Sequence, residues 1–69
     1  MRMGRKAIGR TFEVIGWLFI NGKVPEYSKV VCSGYNEKYK EYLVKYNDHF
    51  GYARGLDLRL VKEDKKEDK

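Results

Sequence analysis

One cysteine and one histidine set the terms on which this chain can fold. Cys32 has no second cysteine with which to form an internal disulfide. Together with His49 it falls short of the four Cys or His ligands of a structural zinc site. The length, 69 residues, admits one domain. A chain this short buries little apolar area. Its core must come from ordinary packing, with a partner or a second copy adding to it. Six Tyr, three Phe and Trp17 supply large buried areas per side chain.

Short β-type segments alternate with turn signals. Residues 11–20 are rich in β-branched and aromatic types and end at Asn21-Gly22, a hairpin signal. They read as a strand, with Gly16 marking a bulge or bend. A helix is the rival reading, because Phe12, Ile15 and Phe19 sit near helical spacing. Pro25 breaks the chain, and residues 27–33 read as the next strand. The polar stretch Tyr35–Lys40 reads as an exposed connection. In residues 41–46, Tyr42, Val44 and Tyr46 alternate with Glu41, Leu43 and Lys45. Asn47-Asp48 begins a turn that Gly51 ends, and 52–54 make a short strand. Leu56, Leu58 and Leu60 then face inward in a last strand, with Asp57 and Arg59 facing out. Five short strands predict an all-β, closed or partly closed small barrel over residues 11–62, since closure removes the unpaired edges of so small a sheet.

Charge is unevenly spread. Residues 1–12 hold Arg2, Arg5, Lys6 and Arg10 and no acid, while residues 13–61 hold seven basic and six acidic residues. The net charge of +5 therefore belongs largely to a flexible or loosely docked basic N-terminal arm, residues 1–10. That arm reads either as a solubilising terminus or as a contact for phosphates. Residues 63–69 read as a disordered charged tail, with a frayed helix as the alternative. The apolar run Val14–Ile20 is too short to cross a bilayer, which takes about 20 helical residues. No cleavage pattern follows it. With the lone free cysteine, this reads as a soluble, cytoplasmic protein without a membrane partner.

At Tyr42-Leu43-Val44-Lys45-Tyr46-Asn47-Asp48-His49-Phe50-Gly51 and Leu58-Arg59-Leu60 the chain resembles Tudor and chromo-like modules of the SH3-like barrel group. In those modules an aromatic-ending strand, an Asp and a Gly-containing turn precede a closing Leu-Arg pair. The resemblance implies a five-stranded SH3-like barrel. Proteins of that group bind DNA, RNA, peptides or other proteins, so the fold alone does not assign a ligand.

No phosphate loop, nucleophile elbow or paired-cysteine motif is present. His49 beside Asp48 reads as a turn histidine, and Cys32 as a small hydrophobe in an apolar strand. An enzyme is not expected, nor a cofactor. Tyr42, Tyr46 and Trp17 are assigned to the core. Tyr35 and Tyr39 stand in a polar loop with Lys38 and Lys40, where exposed rings stack on bases and lysines meet phosphates. The leading reading is a nucleic-acid-binding module that uses Arg2, Arg5, Lys6, Arg10, Tyr35, Lys38, Tyr39, Lys40, Lys45 and Arg59. Against it, Arg59 is expected to pair with a nearby acid such as Asp57 or Glu41. The alternative is a protein-interaction or inhibitor module, of the kind phages and plasmids encode, using exposed tyrosines or an open strand edge. A homodimer is a third reading.

Overall fold

The computed structural model describes residues 3–61. Arg2 and the tail at 63–69 lie outside the described residues. Five strands, β1 (Thr11–Val14), β2 (Lys29–Asn36), β3 (Glu41–Tyr46), β4 (His49–Arg54) and β5 (Leu58–Leu60), form one antiparallel sheet. Their order is β4-β3-β2-β1-β5. The edge strands β4 and β5 are joined only by the 3₁₀ turn Gly55–Asp57. Four peptide steps reach about 14 Å at full extension. The edges of a flat five-stranded sheet would stand about 19 Å apart. The sheet is therefore strongly curved. Among the described residues β4 and β5 do not pair, so of the closed and partly closed forms expected the sheet does not take the closed one.

Alternation decides which side chains fill the curve. Phe12, Val14, Val30, Cys32, Tyr42, Val44, Ala53 and Leu58 are all buried. Burying a side chain such as Phe12 contributes about 1.5–3 kcal/mol. Cys32 packs as the small hydrophobe its sequence setting implied, and burial pushes its thiol pKa up. Its S–H donates to the Gly34 carbonyl at 3.2 Å.

β1 is shorter than the sequence suggested. It stops at Val14, because Ile15 N–H turns away to donate to the Asp57 carbonyl at 2.9 Å. Gly16 then lies so close to Asp57 that a Cβ would fall 2.1 Å from Oδ1. The chain folds back as an irregular segment from which Leu18, Ile20 and Val24 enter the core. Trp17 is consequently not a core residue. Leu18 and Ile20 take the inward positions, and Trp17 and Phe19 are turned out, 69% and 62% exposed. Asn21 and Gly22 do make a turn, with φ of 54° and 111°, but it joins only the isolated bridge Phe19–Lys23.

The β3–β4 connection is tighter than expected. Asn47 and Asp48, with φ of 49° and 64°, form a two-residue hairpin turn between the paired residues Tyr46 and His49. Gly51 therefore sits inside β4 rather than ending the turn. A Cβ there would lie 2.7 Å from Ile20 Cγ1, so glycine lets the irregular segment rest on the strand. Leu56 also departs from expectation. It belongs to the 3₁₀ turn rather than to β5 and is exposed.

β2 runs to Asn36, past the 27–33 span expected from the sequence and into the stretch read as an exposed connection. The β2–β3 register shifts between Cys32 and Gly34, leaving Ser33 as an extra residue. Before the shift even-numbered residues face the core. After it Tyr35 does, opposite Tyr42. Tyr35 is thus half-buried in a strand, with its ring centroid 4.8 Å from that of Tyr42.

This ring pair anchors the N-terminal segment. Met3 and Gly4 N–H groups donate to Tyr42 Oη at 3.1 and 3.0 Å, and a 3₁₀ turn, Gly4–Ala7, carries Ala7 into full burial. Gly9 N–H donates to the Cys32 carbonyl at 2.7 Å. Of the two forms expected of the N-terminal arm, flexible or loosely docked, residues 3–10 take the docked one, against β2.

Tyr42→Phe keeps the ring but removes the shared acceptor. We expect a loss of about 0.5–1.5 kcal/mol in urea denaturation. Amide exchange at Gly4 should accelerate more than exchange at Val44. Unchanged protection at Gly4 would show that the segment is held by other contacts.

Candidate functional site

The docked segment builds one wall of an open groove of roughly 1060 Å³. Met3 and Gly4 form this wall, and Tyr35 and Tyr42 form the floor. The β2–β3 turn contributes Tyr39, Lys40 and Glu41, and the end of β4 with the following turn contributes Arg54, Gly55 and Leu56. The turn is ordered by Asn36, whose Oδ1 accepts from the N–H groups of Lys38 at 3.0 Å and Tyr39 at 3.3 Å. Lys40 closes it in the left-handed region, φ 56°. That geometry leaves the Tyr39 ring 63% exposed, with Lys38 Nζ 5.3 Å from its centroid. The groove thus joins three aromatic rings, an exposed leucine and two cations, with Glu41 as the one acid.

Several residues singled out from the sequence do meet here. Tyr35, Tyr39 and Lys40 line the groove and Lys38 flanks it. Arg5, in the docked turn, reaches Glu37 at 3.6 Å, a fully solvated pair that links the segment to the β2–β3 turn. Lys6 and Arg10 are exposed. Lys45 and Arg59 are not part of this constellation. Lys45 pairs with Asp48 at 3.6 Å beside the β3–β4 turn.

Arg59 stands opposite Glu13 across the β1–β5 ladder, and Lys29 stands opposite Glu13 across the β1–β2 ladder. Arg59 Nε and its terminal guanidinium nitrogen both donate to Glu13 Oε1, while Lys29 Nζ lies 3.5 Å from Oε2. The acid partner is Glu13 rather than Asp57 or Glu41, because the strand order puts β1 beside β5. The hydrogen bond from Arg59, and then the two positive charges, hold the Glu13 carboxyl below its ordinary range. The same contact raises Arg59.

Arg54 and Leu56 were missed as site residues. Gly55 between them was the signal, since a glycine there interrupts the alternation that had placed Leu56 in a strand.

Two further exposed apolar groups stand outside the groove. Val31, Leu43, Phe50 and Tyr52 share the outer face of β2, β3 and β4, with Leu43 opposite Tyr52 and Lys45 opposite Phe50. Trp17 and Phe19 stack with centroids 6.2 Å apart, and Lys23 Nζ sits 4.2 Å from the centre of the Trp17 ring. Comparison with protein-family models, curated proteins and solved structures finds no match for the chain. Among the described residues no cluster of His, Cys, Asp and Glu could hold a metal ion. No helix among them is long and apolar enough to cross a membrane.

The Glu13 contacts carry a pH signature. A carboxyl whose folded pKa is depressed contributes stability that is present above its unfolded pKa, about 4.3. That contribution is lost as pH falls through the folded value. Glu13→Gln should therefore have a lower urea midpoint than the parent at pH 7, and the two should converge below about pH 4. A constant gap from pH 7 to pH 3 would contradict a charge-based contribution.

Proposed function

We propose that this chain is a non-enzymatic, SH3-like binding domain of the cytoplasm that takes nucleic acid into the groove beside its docked N-terminal segment. The SH3-like assignment is supported by five antiparallel strands on a strongly curved sheet, with the last strand returning to the first. The Tudor-like pattern at residues 42–60 agrees with it. A cytoplasmic setting suits the free, buried thiol of Cys32.

One observation carries the ligand assignment. The groove places exposed Tyr39 and half-buried Tyr35 beside Lys40 and Arg54, and among the described residues neither cation has an acid within 4 Å. Rings that offer a face and cations free to meet phosphates are the two components of sequence-tolerant nucleic-acid binding. Lys6 and Lys38 widen the positive rim. Lys45 and Arg59 lie outside the groove, each in contact with an acid, and are not part of the proposed site. Contacts of this kind position a backbone rather than read bases, so binding should be strongly salt-dependent and weakly sequence-dependent.

A protein partner is the second reading, and a specific feature favours it. The outer face formed by Val31, Leu43, Phe50 and Tyr52 is more apolar than an unused sheet face needs to be. A partner bound there would leave the groove free, so the two readings predict separate sets of sensitive residues.

The test is a salt titration by fluorescence anisotropy with mixed-sequence oligonucleotides, comparing the parent with Lys40→Glu/Arg54→Glu. The double variant should bind at least about tenfold more weakly at low salt. The slope of log affinity against log salt should shrink by about 0.7 per phosphate contact removed on a single strand, or about 0.9 on a duplex. An unchanged affinity and slope would remove the groove as the site. Phe50→Ser/Tyr52→Ser should bind like the parent.

A further inference from the structure

The groove does not stop at Leu56. The next residue, Asp57, packs against Gly16 and accepts the Ile15 N–H at 2.9 Å. One residue beyond this contact on either side stand Leu56, which lines the groove, and Trp17. From Trp17 the irregular segment runs along β4. The Phe19 carbonyl oxygen lies 3.4 Å from the position of a Gly51 Cβ, and Asn21 Nδ2 lies 3.3 Å from His49 Nε2. Trp17 and Phe19 thus lie on the segment that crosses from the Asp57 contact, beside the groove's last residue, toward β4.

These two rings are held in an unusual way for exposed aromatics. Their planes lie within 24° of each other, and Lys23 places its ammonium over the Trp17 ring. Neither ring contributes to the core, because Leu18 and Ile20 fill the adjoining inward positions. Two largely exposed, near-parallel rings with an ammonium over one of them bring together a stacking surface and a positive charge, the two things a base and its phosphate need.

We infer that Trp17, Phe19 and Lys23 form a second stacking platform of the same site, and that the ligand is an unpaired nucleic-acid strand several nucleotides long. The inference rests on the nucleic-acid reading of the groove. A paired base is already stacked on its neighbours, so a ring face at the protein surface gains little from a duplex. An unpaired base can splay out and lie on Tyr39 at one end and Trp17 at the other. Lys40 and Arg54 meet the backbone at the first platform and Lys23 at the second.

Trp17 is the only tryptophan of the chain, so its emission reports this platform alone. The full chain is titrated with oligothymidylates of about 4 and about 12 nucleotides, spanning the site sizes of small single-strand binders. A blunt duplex is titrated in parallel. The longer strand should quench Trp17 and bind more tightly than the shorter one, and the duplex should do neither. Trp17→Ala, an exposed position whose loss leaves the core intact, should weaken the longer strand by about 5- to 100-fold in anisotropy. It should leave the shorter strand nearly unchanged. Trp17 emission that does not respond to bound strand overturns the inference, as does Trp17→Ala binding like the parent or duplex binding as tightly. If these occur while Lys40→Glu/Arg54→Glu still abolishes binding, the groove reading stands and only its extension fails. Absence of binding by every oligonucleotide removes both.

Discussion

The extra residue at Ser33 in β2 controls more of this molecule than any other single feature. It reverses the inward alternation halfway along the strand, so that Tyr35 turns toward Tyr42 instead of toward solvent. Tyr42, fixed by that ring contact and by its place opposite Ala53, presents its hydroxyl to the Met3 and Gly4 amides. A bulge that costs one ladder position thereby binds the N-terminal segment to the far end of the sheet. Without it the segment would lack its acceptor, and the groove would lack both a wall and half of its floor.

A second constraint acts at the opposite edge. The curved sheet leaves only three residues to carry the chain from β4 to β5, and those residues also anchor the segment that follows β1. Asp57 is the meeting point. Its carbonyl holds Ile15, and its side chain fits only because residue 16 is glycine. The groove and the exposed Trp17–Phe19 pair are thus products of fold geometry. One is set by the bulge, the other by the β4–β5 connection.

Much of the strand pattern was legible because alternation is a local property. Tyr42, Val44 and Leu58 were placed inward on that ground and are buried. Tyr39 and Lys40 were recognised as exposed neighbours in a polar turn. Other features depended on contacts that no local pattern carries. Trp17 was assigned to the core from its size, but Leu18 and Ile20 occupy those positions once Ile15 is diverted to Asp57. Arg59 was expected to find an acid. Identifying Glu13 required the knowledge that β1 lies between β2 and β5. The contacts that dock residues 3–10 were hidden by their charge, since a basic run reads as solvated even when one alanine within it is fully buried.

The account makes the groove, rather than the outer sheet face or the Glu13 cluster, the place where this domain meets its ligand. Backbone amide chemical-shift mapping tests that most directly. On adding a single-stranded oligonucleotide to the isotopically labelled chain, the largest shifts should fall on Gly4, Tyr39, Lys40, Arg54, Gly55 and Leu56. Lys29, Val31, Tyr52 and Arg59 should stay nearly unmoved. Shifts concentrated on Val31, Leu43, Phe50 and Tyr52, with the groove residues silent, would contradict the account.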